Sequence, residues 1–68
     1  MKVTYYEKHD LLYISFDEKP QQVVNRRLDE SIVLDLTEAD RIVGIEILDA
    51  SKRLQLEQVL PIEYQKTA

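Results

Sequence analysis

The chain has no cysteine, no tryptophan, one glycine, one histidine and two prolines in 68 residues. Without cysteine there is no disulfide and no thiolate metal site. One histidine does not make a two- or three-histidine zinc centre. One glycine does not make a glycine-rich phosphate loop. No apolar run exceeds the four residues from Leu11 to Ile14, far short of the roughly 20 that cross a bilayer as a helix. The first residues, Met1 to Tyr6, lack the apolar core of a signal peptide. These absences lead to the expectation of a soluble cytoplasmic protein with no cofactor, no metal and no membrane association.

What is present is a folding composition. Apolar residues make up 44% of the chain and charged residues 32%, with 13 acidic against 9 basic side chains and a net charge of −4. An acidic chain with a pI near 4.8 lacks the basic face that phosphate neutralisation requires, so direct nucleic-acid binding is not expected. A basic protein partner is compatible with the charge. The length sets one domain, 1–68. Below roughly 70–80 residues one core supplies only about 3–5 kcal/mol. With no disulfide or metal available, oligomerisation is the expected supplement.

Strand-period patterning dominates the first 48 residues. Strands are expected near 2–6, 11–16, 22–28, 31–36 and 41–48. In the second, Leu12, Ile14 and Phe16 share one face, and Leu11 and Tyr13 the other. The third, Gln22 to Leu28, is the most polar and belongs at or near an edge. Ile32, Leu34 and Leu36 point inward from the fourth, as do Val43, Ile45 and Ile47 from the fifth. Gly44 marks a bulge or a close backbone approach. Polar turns separate the strands, and the short connections point to an antiparallel meander.

After Leu48 the period becomes helical. One C-terminal helix, about 50–60, is expected on one sheet face, capped by Asp49 or Ser51 and open to a break near Gln55. Pro61 ends it; Ile62 to Tyr64 reads as a short packed segment and Gln65 to Ala68 as a frayed end. The architecture is thus α+β, four to five antiparallel strands with one helix. The uncovered face would carry Leu11, Tyr13, Val33, Ile42 and Leu48, a patch large enough to predict self-association as an isologous dimer.

The run Val43-Gly44-Ile45-Glu46-Ile47-Leu48-Asp49-Ala50-Ser51, with Tyr5, Asp10 to Ile14 and Val33-Leu34-Asp35 upstream, resembles the DUF2283 family of small prokaryotic proteins. The resemblance extends from Met1 to about Leu60. It implies a fold and supplies no catalytic residues. It also implies a link to small toxin-like ribonucleases.

Candidate chemistry is sparse. His9, between Glu7 and Asp10, reads as part of a solvated turn, since one histidine with flanking acids lacks the geometry of a closed site. Asp35, Glu46 and Asp49 are carboxylates near strand ends, the residue type for acid–base work when burial separates their pKa values. Pairing with Arg26, Arg27 or Arg41 accounts for Asp35 and Glu46 without an enzyme. Arg26-Arg27 and Lys52-Arg53 sit in an acidic surround and read as solvated faces. Tyr5 and Tyr13 are expected as a cross-strand pair. No catalytic, cofactor or metal residue is assigned. The leading expectation is a non-enzymatic, self-associating interaction module. The alternative is an acidic antitoxin-like protein that adds the strand 22–28 to a basic ribonuclease. A small-ligand protein or an enzyme using Asp35, Glu46 and Asp49 comes third.

Overall fold

A computed structural model describes residues 1–59. The expected helix end at Leu60, Pro61, the 62–64 segment and the 65–68 terminus lie outside the described residues. Five strands form one fully antiparallel sheet: β1 (Lys2–Tyr6), β2 (Leu11–Ser15), β3 (Val24–Arg27), β4 (Ile32–Leu36) and β5 (Ile42–Ile47). Each lies within two residues of its expected span. Two four-residue helices follow, α1 (Ala50–Arg53) and α2 (Leu56–Val59).

The strand order is β1-β2-β5-β4-β3. Pairing of sequence neighbours holds within β1–β2 and within β3–β4–β5. Between β2 and β3 it gives way: β5 lies beside β2, and β3 is at the edge. The reason is polarity. A simple meander would make β3 the central strand, yet Val24, Asn25, Arg26 and Arg27 are all exposed. The apolar β5 takes the centre instead, and the segment after Ser15 carries the chain past β5 and β4 to the far edge.

Cross-strand partners share a face, so the register defines the two surfaces. One five-strand row reads Val3, Ile14, Ile45, Leu34, Arg26, and a second reads Tyr5, Leu12, Ile47, Ile32. These rows make the apolar face. The opposite face carries Thr4, Tyr13, Glu46, Val33, Arg27 and, beside them, Lys2, Ser15, Gly44, Asp35, Asn25. The rows alternate because the pleat has period two.

A bulge breaks the pattern once. Asp35 pairs with Gly44, but the next residue, Leu36, pairs with Ile42. Val43 is the extra residue, and its carbonyl accepts the Phe16 and Asp17 N–H groups at 2.9 and 3.3 Å. The step moves Ile42 onto the apolar face with Leu36 and Val24, away from Tyr13 and Val33. Simple alternation had placed it with the latter.

Turns are made by side chains that replace ladder hydrogen bonds. Asp29 Oδ1 accepts the Ser31 and Ile32 N–H groups at 2.7 and 2.9 Å. Thr37 Oγ1 accepts those of Ala39 and Arg41 at 3.2 and 3.1 Å. Glu7–His9 forms a single 3-10 turn ending at Asp10, which is left-handed at φ 51°. His9 is exposed in it.

The expected single helix is two, because Leu54 is extended at φ −132°, ψ 151°; the break falls beside Gln55. Neither Asp49 nor Ser51 caps α1 by the expected local bond. Asp49 is left-handed at φ 51° and makes no side-chain cap. The cap comes from the other end of the chain. Asp10 Oδ1 accepts the Ser51 N–H at 3.0 Å, Ser51 Oγ donates to Asp10 Oδ2 at 2.7 Å, and the Asp10 carbonyl accepts the Ala50 N–H at 2.9 Å. Tyr5 Oη donates to the same carboxylate at 2.7 Å. Ala50 and Leu12 are fully buried at this end of the sheet. Leu54, Leu56 and Val59 of the helical segment are half-buried.

Asp10 therefore holds β1, β2 and α1 together. Its pKa is lowered, first by the Tyr5 hydroxyl and then by Ser51. A lowered native pKa gives stability that is complete above the unfolded value of about 3.9 and lost as pH falls through the native one. Asp10→Ala is expected to lower the urea midpoint at pH 7 with little change in slope. Asp10→Asn, which tolerates the left-handed backbone, should recover part of that loss. The gap between native and Asp10→Ala midpoints should close below about pH 4. Equal midpoints at pH 7 would contradict the assignment.

Candidate functional site

The polar groups that converge in the fold lie on the face opposite Leu12 and Ile45. Tyr13 is on β2 and Asp35 on β4, with β5 between them. The Tyr13 ring leans across the intervening strand at Gly44, and its hydroxyl donates to Asp35 Oδ2 at 3.0 Å. A Cβ at residue 44 would overlap the phenol oxygen and its ring carbon. Glycine is required here by the close approach of a neighbouring side chain; its φ is not positive. The sequence signal at Gly44 thus meets both of its expected meanings, an approach at the residue itself and a bulge beside it.

From β3, the Asn25 side-chain amide donates to Asp35 Oδ1. The carboxylate, only 7% exposed, thus joins four adjacent strands: β2 through Tyr13, β5 beneath the ring, β4 as its own strand, and β3 through Asn25. Glu46 lies diagonally across on β5, between Tyr13 and Val33 in the register. Arg27 pairs with Val33 on the same face.

The electrostatics follow from burial and crowding. Burial, the bond to Asp35 and the nearby carboxylates push the Tyr13 phenol up to about 12. Glu46 is raised, first by burial, then by a hydrogen bond and charge repulsion from Asp35, with Arg27 opposing. The cluster is therefore a latch with tyrosine as donor, and the phenol is no base at neutral pH.

Of the three carboxylates singled out from sequence, Asp35 and Glu46 are brought together. Asp49 is exposed at the start of α1. The arginines do not take the carboxylates as expected. Asp35 is held by tyrosine and asparagine, and Arg26 pairs with Asp40 at 3.4 Å. Arg27 donates to the Asp29 and Glu30 carbonyls while acting on Glu46 through its charge. Tyr5 and Tyr13 are on opposite faces, because Tyr5 pairs with Leu12 and Tyr13 with Thr4. The five residues of the expected self-association patch do not form one surface. Leu11, Tyr13 and Val33 share the latch face, where Val33 is buried. Ile42 is on the opposite face, and Leu48 follows β5, its N–H bonded to the Ser31 carbonyl at 2.7 Å. Among the described residues no group of three or more histidine, cysteine, aspartate or glutamate side chains converges to hold a metal, and no helix is long and apolar enough to cross a membrane.

Tyr13→Phe leaves a buried carboxylate short of one donor and is expected to cost about 1–3 kcal/mol in urea unfolding. Gly44→Ala forces the ring aside and should cost a similar ~1–3 kcal/mol. Because both break one contact, the double variant should cost clearly less than the sum; strict additivity would separate the two residues. Glu46 has the opposite sign to Asp10. Its raised pKa means a stabilising contribution present below the unfolded value and lost as pH rises through the native one. Glu46→Gln is expected to raise the unfolding midpoint at pH 7, with the gain shrinking toward pH 4. A loss at pH 7 would show that the charged form is the one the fold requires.

No curated protein and no solved structure gave a significant match. A family model described as a protein of unknown function, DUF2283, matches residues 2–51, which include the whole sheet, Asp10, the Tyr13–Gly44–Asp35 latch and the Ser51 anchor of α1. The chain belongs to the DUF2283 family.

Proposed function

We propose that this protein is a small non-enzymatic interaction module that acts in the cytoplasm by presenting its apolar sheet face to a protein partner. The observation that carries this reading is where the exposed large apolar residues are. Val24 and Ile42 flank Leu36 in one cross-strand row, and they are 57% and 48% exposed. Phe16, next after β2 in the alternation of Leu12 and Ile14, is 46% exposed. The adjacent row of Val3, Ile14, Ile45 and Leu34 is half-buried. Leu36, between Val24 and Ile42, is only 3% exposed, so the exposed side chains form the rim of a covered patch; several of them on one sheet face together favour an interaction surface. The latch on the other face supports the same reading, since the groups that acid–base chemistry would need are engaged with one another.

The antitoxin-like alternative relies on strand addition at β3. That strand is at the edge and fully exposed, which favours pairing. It also carries Arg26 and Arg27, so a basic partner's strand would bring like charges together, a destabilising arrangement. The face reading therefore ranks first.

Photocrosslinking in cells separates them. A photoreactive phenylalanine analogue at Ile42 is expected to give an adduct of one discrete mass, and the same analogue in the exposed loop at Glu38 none. Absence of an adduct from position 42 overturns the module reading. Adducts confined to an analogue at Gln22, beside β3, favour strand addition.

A further inference from the structure

We infer that the β3 edge of the sheet takes an acidic, extended segment of a partner protein as an added strand. The edge is a surface distinct from the apolar face, and its occupant does not depend on what that face binds. β3 runs from Val24 to Arg27 with every residue exposed, and β4 flanks it on one side only.

The backbone of β3 has a defined polarity. The Leu28 N–H donates to the Ile32 carbonyl at 2.8 Å, and the same register continues through Arg26–Leu34 and Val24–Leu36. In an antiparallel ladder, hydrogen-bonded pairs alternate with pairs that are not. Val24, Arg26 and Leu28 thus direct their N–H and C=O groups at β4, and Asn25 and Arg27 direct theirs outward. Among the described residues no hydrogen bond reaches those outward groups; the bonds of Asn25 and Arg27 beyond the ladder come from their side chains. A strand laid antiparallel to β3 completes them through its own main chain.

Charge selects the occupant. Arg26 lies on the apolar face and Arg27 on the latch face, so an added strand meets one cation on each side. Two consecutive acidic residues match both, because successive side chains of a strand alternate between faces. Arg27 Nη1 donates to neutral acceptors, the Asp29 and Glu30 carbonyls. Arg26 pairs with Asp40 at 3.4 Å, with both side chains largely exposed, and such a surface pair exchanges readily for a better-placed carboxylate. Opposite Val24, 57% exposed, an apolar side chain extends the row of Val24, Leu36 and Ile42 by one member. A basic strand meets like charges here, and so does a second copy of the chain. Every register that pairs the outward Asn25 and Arg27 of two copies with each other sets an arginine opposite or diagonal to an arginine. The arginines thus guard the edge against self-pairing and leave it open to an acidic strand. The other edge, β1, carries Lys2 as its one charge and is half-buried along its middle.

The probe is a blocked synthetic peptide, Thr-Glu-Glu-Thr-Val-Thr, whose glutamates stand opposite Arg27 and Arg26 and whose valine stands opposite Val24 when it lies antiparallel to β3. Amide exchange of the nitrogen-labelled full chain is followed by NMR with peptide up to about 1 mM. Exchange at Asn25 and Arg27 is expected to slow about twofold or more, the factor set by mass action, while Val24, Arg26 and Leu28, already bonded to β4, change little. Arg26→Glu combined with Arg27→Glu should weaken binding about tenfold or more and admit the peptide with lysines in place of glutamates. Arg26→Glu alone serves where the pair disturbs the 29–30 turn. An unchanged spectrum at about 1 mM peptide overturns the inference, as does equal binding of the lysine peptide to the native chain. Shifts without slowed exchange at Asn25 and Arg27 also overturn it, since they report ion pairing with no added strand. Crosslinking from Ile42 reads the apolar face separately, so either proposal can fail alone.

Discussion

A tyrosine on one strand reaches an aspartate two strands away only if the residue between them has no side chain. Gly44 meets that condition, and much of the sheet depends on it. Hydrogen bonds along the backbone join each strand to its immediate neighbours. The Tyr13–Asp35 bond spans β5 altogether, and Asn25 extends the connection to the edge strand. Such side-chain bridges restrain the strands against sliding, because a slip of one residue would turn Tyr13 and Asp35 to opposite faces.

The two sheet faces solve different problems. The latch face satisfies polar groups internally: every fully buried side-chain nitrogen or oxygen among the described residues has a partner. Burial beside Asp35 raises the pKa of Glu46, while the Tyr5 and Ser51 hydrogen bonds lower that of Asp10, so the two respond to pH with opposite sign. The apolar face is covered at its centre and exposed at its rim. Leu12 is fully buried at the end where Tyr5, Asp10 and Ser51 hold α1, and at the bulged end Leu36 is buried between the exposed Val24 and Ile42.

Much of the fold was legible in the sequence because strand alternation is a local property. The five strands, the polar edge strand, the special position of Gly44 and the interruption near Gln55 all follow from neighbouring residues. Strand order was not, although a signal was present. A sheet of five strands in chain order puts the third at the centre, and the polarity of Asn25, Arg26 and Arg27 already argues against that place. The face of Ile42 was lost because a bulge reverses the parity on which alternation relies. The α1 cap was lost because its acceptor, Asp10, is 41 positions from Ser51, beyond the reach of any local capping pattern. The latch required the register of four strands, so the pairing of Tyr13 and Asp35 was hidden while each residue was visible.

The strand order also makes the sheet mechanically indivisible. Short connections tie β1 to β2, and β3 to β4 to β5, while β2–β5 is the one ladder that joins these two units. A two-stranded hairpin on its own is at best marginally stable in water, so β1–β2 has no independent refuge once that ladder opens. The pairing of Leu12 with Ile47 closes a long loop whose entropy must be overcome in a single step. Tyr13 and Asp35 come from opposite sides of the same joint. Cooperativity in this small chain is thus a product of connectivity: its seam and its latch are in the same place.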